Sequence, residues 1–120
     1  MNKTKTFSEL IVWQKAHQLT LNIYKMTEDF PKKETYGLTS QMRRSVVSIP
    51  ANIAEGYRKR GKLDKARFFN ISQGSLEELK YYLILAKDLD YIKENNLGEL
   101  TTEVGKLLDS YMKAILNSNS

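Results

Sequence analysis

Apolar residues return every three or four positions along nearly the whole chain, and no stretch alternates long enough between apolar and polar to predict a strand. The first stripe, Val12, Ala16, Leu19, Ile23 and Met26, predicts a helix from about Leu10 to Thr27, closed by Pro31 with Phe30 packing back onto the core. The second, Leu38, Met42, Val46, Ile49 and Ile53, predicts a helix from about Glu34 to Arg60, with Gly61 as its C-terminal stop. The third spans about Leu63 to Leu89 through Phe69, Ser72, Leu76, Leu79, Leu83 and Ala86. The fourth starts at an Asn96-x-x-Glu99 capping box and reaches about Leu116 through Leu100, Val104, Leu107, Tyr111 and Ile115. Short connections between four helices predict an all-α fold, an antiparallel up-down-up-down four-helix bundle. It forms one domain over residues 1–120, with about 1–7 and 117–120 expected to be flexible.

Two departures from plain core patterning stand out. Pro50 lies inside the second stripe, where it removes an N–H and crowds the carbonyl of Val46, a penalty of roughly 3 kcal/mol in a regular helix. The stripe stays in phase across it, so a kink is expected rather than a break, with Ser45 and Ser48 in reach of the freed backbone groups. Helices two and three also carry more apolar surface than one stripe: Val47, Ala51 and Ala54 on the second, and Phe68, Ile71, Tyr82, Leu85 and Leu89 on the third. Burial on two sides explains such helices, either in a wide monomer core or at a subunit interface.

Composition narrows the function. The chain has 120 residues and no cysteine, which excludes disulfides, thiol catalysis and zinc-thiolate sites. The segment Met1-Asn-Lys-Thr-Lys-Thr lacks the apolar stretch of a signal peptide, and the longest apolar run, Tyr81 to Ala86, falls far short of a membrane span. A soluble cytoplasmic protein without membrane contact is expected. The net charge of +5 is unevenly placed: residues 1–67 hold 14 Lys/Arg against 6 Asp/Glu, and residues 68–120 hold 5 against 8. Such asymmetry points to a polyanion or an acidic partner.

No cluster of reactive residues emerges. His17, the single histidine, has Gln14 and Leu21 as its helical neighbours and no carboxylate within a turn, which suits a structural residue better than a general base. No Glu-x-x-His pair suggests a metal site, and no Walker loop, Gly-x-Gly-x-x-Gly or Gly-x-Ser-x-Gly occurs. Gly74 falls mid-helix, where it reads as a point of close helix approach. Arg43 and Arg44 differ, because no acidic residue lies three or four positions from either. Together with Asn52 and Glu55 they form either a structural polar network, with Glu55 accepting an arginine within the chain or across an interface, or an anion site.

The densest charge is the run from Arg58 to Arg67, where Arg58, Lys59, Arg60, Lys62, Lys65 and Arg67 face only Asp64. Wrapped around the turn between helices two and three, these cations suit phosphate contacts, and Tyr57 offers a ring for stacking. The plainer alternative is a charged, solubilising turn.

The segments Leu10-x-Val12-Trp13-Gln14-x-Ala16, Gly37-Leu38-Thr39-x-Gln41-x-Arg43-Arg44, Ser48-Ile49-Pro50-Ala51-Asn52-Ile53-Ala54-Glu55-Gly56, Arg67-Phe68 and Gly74-Ser75-Leu76-x-Glu78-Leu79 closely resemble the four-helix-bundle proteins encoded in intervening sequences of bacterial 23S rRNA genes. The likeness is collinear from Phe7 to about Ile92. Asp90 stands where that family usually has glycine, a position whose helix-end geometry aspartate tolerates, and Lys59 replaces a typically small residue. The resemblance implies a homopentamer without catalytic residues. It also implies a relationship to the accessory variability proteins of diversity-generating retroelements, basic pentamers that bind nucleic acid and a reverse transcriptase.

The combined expectation is a non-enzymatic, homo-oligomeric bundle without cofactor or metal, binding nucleic acid, RNA above all. The alternative is a protein-interaction scaffold for an acidic partner.

Overall fold

The computed structural model describes residues 3–118. Four helices carry the chain: α1, Ile11–Thr27; α2, Leu38–Arg58; α3, Lys62–Asp88; and α4, Gly98–Leu116, with single 3-10 turns at Phe7–Glu9 and Lys32–Glu34. No strand occurs among the described residues. α2 packs between α1 and α3, and α4 closes the circuit by touching both α3 and α1, giving an all-α helical bundle with extents of 49 × 24 × 21 Å.

The stripes of the first three helices meet in one core. Val12, Ala16, Leu19, Ile23, Met42, Val46, Ile49, Ile53, Leu79 and Ala86 are wholly shielded from solvent, and Leu38, Phe69, Leu76 and Leu83 nearly so. Each large aliphatic side chain buried in this way contributes about 1.5–3 kcal/mol relative to exposure. Met26 lies at the core's edge, and Phe30 folds back onto it beside Tyr91. α4 is rotated from its expected face. Thr101, Val104 and Leu108 point inward, while Leu100, Leu107, Tyr111 and Ile115 flank the core only partly buried. Thr101 can be buried because its hydroxyl donates to the Gly98 carbonyl 2.9 Å away.

Helix ends explain several differences from the sequence pattern. The Glu34 carboxylate accepts the Leu38 N–H at 3.0 Å, so Glu34 caps α2 from outside instead of starting it. α2 ends at Arg58, and Gly61 is not a left-handed stop: it sits at φ −78°, ψ 138° as the residue before α3. The Asn96/Glu99 capping box does not form, because the Asn95 side chain accepts the Leu97 N–H and α4 begins at Gly98. Asp90 does take the left-handed conformation, φ 63°, with Tyr91 N–H bonding Ala86 and Asp90 N–H bonding Lys87, the paired bonds of a Schellman stop.

α2 continues through Pro50 as one helix. Proline leaves the Val46 carbonyl without its usual N–H partner, and the Thr20 hydroxyl of α1 lies 3.3 Å from that oxygen and 2.9 Å from the Ala16 carbonyl. The expected donors are engaged elsewhere: Ser45 bonds Met42, and Ser48 pairs with Ser75. Close approach of α2 to α3 is made by Gly56, where a Cβ would sit 2.9 Å from the Phe69 ring and 3.0 Å from Phe68 Cβ. Gly74, expected in that role, faces open space.

Among the segments expected to be flexible, residues 1, 2, 119 and 120 lie outside the described residues. Thr4 bonds Tyr57, the Glu9 carboxylate bonds the Lys5 and Thr6 N–H groups, and the Ser118 carbonyl accepts Lys62. No helix among the described residues is long and apolar enough to cross a membrane.

Candidate nucleic-acid interface

The basic run occupies the end of α2, the short turn after it and the first turns of α3. Its six cations divide into three pairs. Lys62 and Lys65 stand in the first turn of α3, an unfavourable place for positive charge on their own helix. Both reach across to the C-terminal ends of other helices. Lys65 Nζ donates to the carbonyls of Gly56 at 3.0 Å and Tyr57 at 2.8 Å, closing α2. Lys62 Nζ donates to Leu116 at 3.4 Å and Ser118 at 3.2 Å, closing α4. There they meet exposed carbonyls and the negative end of the helix dipole. Partial burial pulls the Lys65 ammonium below its ordinary range.

Lys59 and Arg67 lie over the Phe68 ring, at 5.0 and 4.6 Å from its centroid. Arg67 also meets Asp64 at 3.2 Å, an exposed pair. Arg58 and Arg60 are exposed and have no ion-pair or hydrogen-bond partner among the described residues. Tyr57 is not a free stacking platform: it packs against the core, donates its hydroxyl to the Thr4 carbonyl at 2.8 Å, and has Lys65 Nζ 5.5 Å from its ring centroid. The outward charge is therefore Arg58 and Arg60, flanked by the cation-covered Phe68.

The expected grouping of Arg43, Arg44, Asn52 and Glu55 is not brought together within the chain. Arg43 turns to α1, where Nε bonds Thr27 Oγ1 at 2.8 Å, Nη2 bonds the Tyr24 carbonyl at 3.3 Å, and the guanidinium lies 4.6 Å from the Tyr24 ring centroid. Asn52 bonds the Ser48 carbonyl and hydroxyl at 2.8 and 2.9 Å, and Ser48 continues to Ser75 at 2.8 Å, linking α2 to α3. Arg44 and Glu55 are exposed and have no partner among the described residues. The reason is geometric: residues 43 and 44 are about 100° apart around the helix, so only one can face α1. Sequence reasoning missed Thr20, Tyr24 and Thr27 as the polar partners on α1. The signal was a threonine pair seven residues apart on an apolar face.

The candidate interface residues divide as well. Val47 and Ile71 are each 40% exposed and Ala51 is exposed, while Ala54 and Phe68 are half-buried. Tyr82 and Leu85 pack against the core, Tyr82 donating to Glu78 at 2.9 Å. The solvent-facing apolar positions on that part of α3 are instead Tyr81 and Ile84, while Leu89, expected on the second face, is exposed at the helix end. A shallow groove between α2 and α3 is lined by Gln41, Arg44, Ser45, Ser48, Ser75 and Glu78.

His17 is exposed and stacks on Trp13 with centroids 5.0 Å apart, and Trp13 meets Phe7 edge-on. No group of three or more His, Asp or Glu among the described residues has the arrangement of a metal site.

The model of the 23S rRNA-intervening sequence proteins matches residues 8–111, nearly the whole bundle. The chain belongs to the 23S rRNA-intervening sequence protein family. Among solved structures, a protein of unknown function from the S23 ribosomal protein family of Bacteroides thetaiotaomicron is similar, with 27% identity and a TM-score of 0.74. The match covers 86% of this chain and 99% of that one. No curated protein matches. For this 23S rRNA-intervening sequence protein, then, the fold has a solved relative, and a functional reading must come from its own surface.

Proposed function

We propose that this protein is a non-enzymatic, cytoplasmic homo-oligomer, a pentamer of up-down-up-down bundles bent at Pro50, that binds RNA through phosphate contacts. The reading rests chiefly on Arg58 and Arg60, exposed guanidiniums two residues apart without a partner among the described residues, with Lys59 and Arg67 on Phe68 beside them in the run. Asp64, the one acid within the run, engages Arg67, and Glu55 stands one turn before Arg58 on α2. Contacts of this kind recognise phosphate and carry little base selectivity. Oligomerisation is supported by exposed Ala51 and Ile71, and by Glu55, a charged residue with no partner among the described residues. Repetition around a ring would present one basic patch per subunit and add avidity. A kinship with retroelement accessory proteins, and a reverse transcriptase as partner, belong to the same reading.

The test is filter binding to structured rRNA fragments over a series of salt concentrations, beside light scattering. The parent should lose affinity steeply with salt, and Arg58→Gln with Arg60→Gln should flatten the log–log slope by roughly 1.4 to 1.8 for each subunit in contact with the RNA, without changing the oligomer. No binding by the parent at low salt would favour a scaffold for an acidic protein instead. A stable monomer at micromolar concentration would remove the oligomer.

A further inference from the structure

Tyr36 is 96% exposed, an aromatic ring standing free in the turn before α2. It lines an open cleft of about 550 Å3 with Tyr24, itself 41% exposed, and with Arg43 and Arg44. The lining contains hydroxyls, including those of Thr35 and Ser40, but no carboxylate. Arg43 is fixed by Thr27, the Tyr24 carbonyl and the Tyr24 ring. Those bonds engage Nε and one N–H of Nη2, so about three of its five N–H groups remain for an anion. Arg44 is exposed and donates to no group among the described residues. About 21 Å of helix separates Arg44 from Arg58, so this cleft is distinct from the basic turn.

Resting on the nucleic-acid reading above, we infer that this cleft binds a single-stranded segment of nucleic acid, with one base stacked on Tyr36 and the adjoining phosphate on Arg44 and the pre-positioned Arg43. Each part of the cleft has a role in that assignment. A free phosphate or a phosphorylated side chain would engage the arginines and leave the exposed ring unused. A duplex keeps its bases stacked on one another and offers none to Tyr36. An unpaired nucleotide supplies both a π-face and a charge, the combination used by sequence-tolerant single-strand sites. The 2′-hydroxyl of a ribose could add a bond to Thr35 or Ser40, so the ribose and deoxyribose strands are separate arms of the test.

Fluorescence anisotropy with labelled oligo(U), oligo(dT) and an RNA duplex of equal length, at one low salt concentration, decides the matter. Tyr36→Ala should weaken both single strands on the order of tenfold, leave the duplex within about twofold, and leave thermal unfolding unchanged, while Tyr36→Phe retains parental affinity. Arg44→Gln should weaken all three ligands. A larger loss for oligo(U) than for oligo(dT) would identify ribose contacts at the same site. If Tyr36→Ala binds both single strands as tightly as the parent, or if Tyr36→Phe fails as badly as the alanine, stacking at this cleft is wrong. Should the parent bind only the duplex, the cleft inference falls while phosphate binding at the basic turn stands. Absence of binding to all three would overturn both.

Discussion

Around Pro50 the polar groups turn inward and are satisfied one at a time, whereas at the turn between α2 and α3 charge is shared between inward capping and outward display. The first region pairs Val46 with Thr20, Ile49 with Ser72, Asn52 with Ser48, and Ser48 with Ser75. No buried side-chain polar atom among the described residues lacks a partner. The second region uses Lys62 and Lys65 as caps and leaves Arg58 and Arg60 to solvent. An odd residue and a dense charge run therefore carry different weight. A helix-breaking proline can be absorbed by one hydroxyl on a neighbour, while a charge run becomes a candidate site only in the part that helix ends do not consume.

The largest expected effect lies in the first region. Thr20→Val leaves the Val46 carbonyl buried without a donor and should cost about 1–3 kcal/mol in urea unfolding. In a Pro50→Ala background, residue 50 regains an N–H for that carbonyl, and the cost should fall by roughly half or more. Equal costs in the two backgrounds would mean that Thr20 does not compensate for the proline.

Lys65→Met keeps the stem and removes the cap on Gly56 and Tyr57, for an expected loss of about 0.5–1.5 kcal/mol. Nucleic-acid affinity should change far less than with Arg58→Gln. Comparable losses in binding would erase the division between capping and displayed cations.

A polar joint at the opposite end of α2 adds a pH test. The Leu38 N–H, and then the Tyr91 hydroxyl at 2.7 Å, hold the Glu34 carboxyl below its ordinary value, and the Glu34 carboxylate raises Tyr91. Because the folded state lowers the Glu34 pKa, its contribution is complete above about pH 4.5 and is lost as pH falls through the lower folded value. Because the folded state raises the Tyr91 pKa, that contribution starts to fall as pH rises past 10.0. The stability gap between the parent and Tyr91→Phe should therefore be wide at neutral pH and narrow progressively as the pH falls below 4.5. A gap independent of pH would remove the charge-assisted bond from the account.

Glu55→Ala should have the smallest effect on the fold, within about 0.5 kcal/mol, since the side chain is exposed and unpartnered in its own chain. A change in assembly with unchanged unfolding of the subunit would place its partner on a neighbouring copy.

The helices and their inward faces are legible because a period of 3.6 residues survives in the sequence wherever packing is apolar. It predicts Leu38 to Ile53 and Phe69 to Ala86 position by position. It fails on α4, where a buried threonine, satisfied by Gly98, interrupts the apolar signal and shifts the face by one residue. Tyr82 and Leu85 were legible as apolar, but their neighbours Tyr81 and Ile84 are equally so, and periodicity alone does not say which pair touches the core. The division of the basic run was not legible. Lys62 acts on Leu116, 54 residues away, and no local pattern announces such a bond. Tyr36 belongs to no stripe, so only its exposure in the folded chain singles it out.

Both ends of the described chain are fastened at the basic turn, Thr4 to Tyr57 and Ser118 to Lys62. Thr4 and Ser118 thus each bond a residue next to the exposed arginines or two residues beyond them. A bulky or acidic tag fused directly to either would compete with a polyanion for Arg58 and Arg60, so tag-free protein is the proper reagent for every binding comparison. The same convergence suits a circular permutation in which a short linker joins Thr4 to Ser118 and a new opening is cut between α3 and α4, the whole length of α3 away from the basic turn.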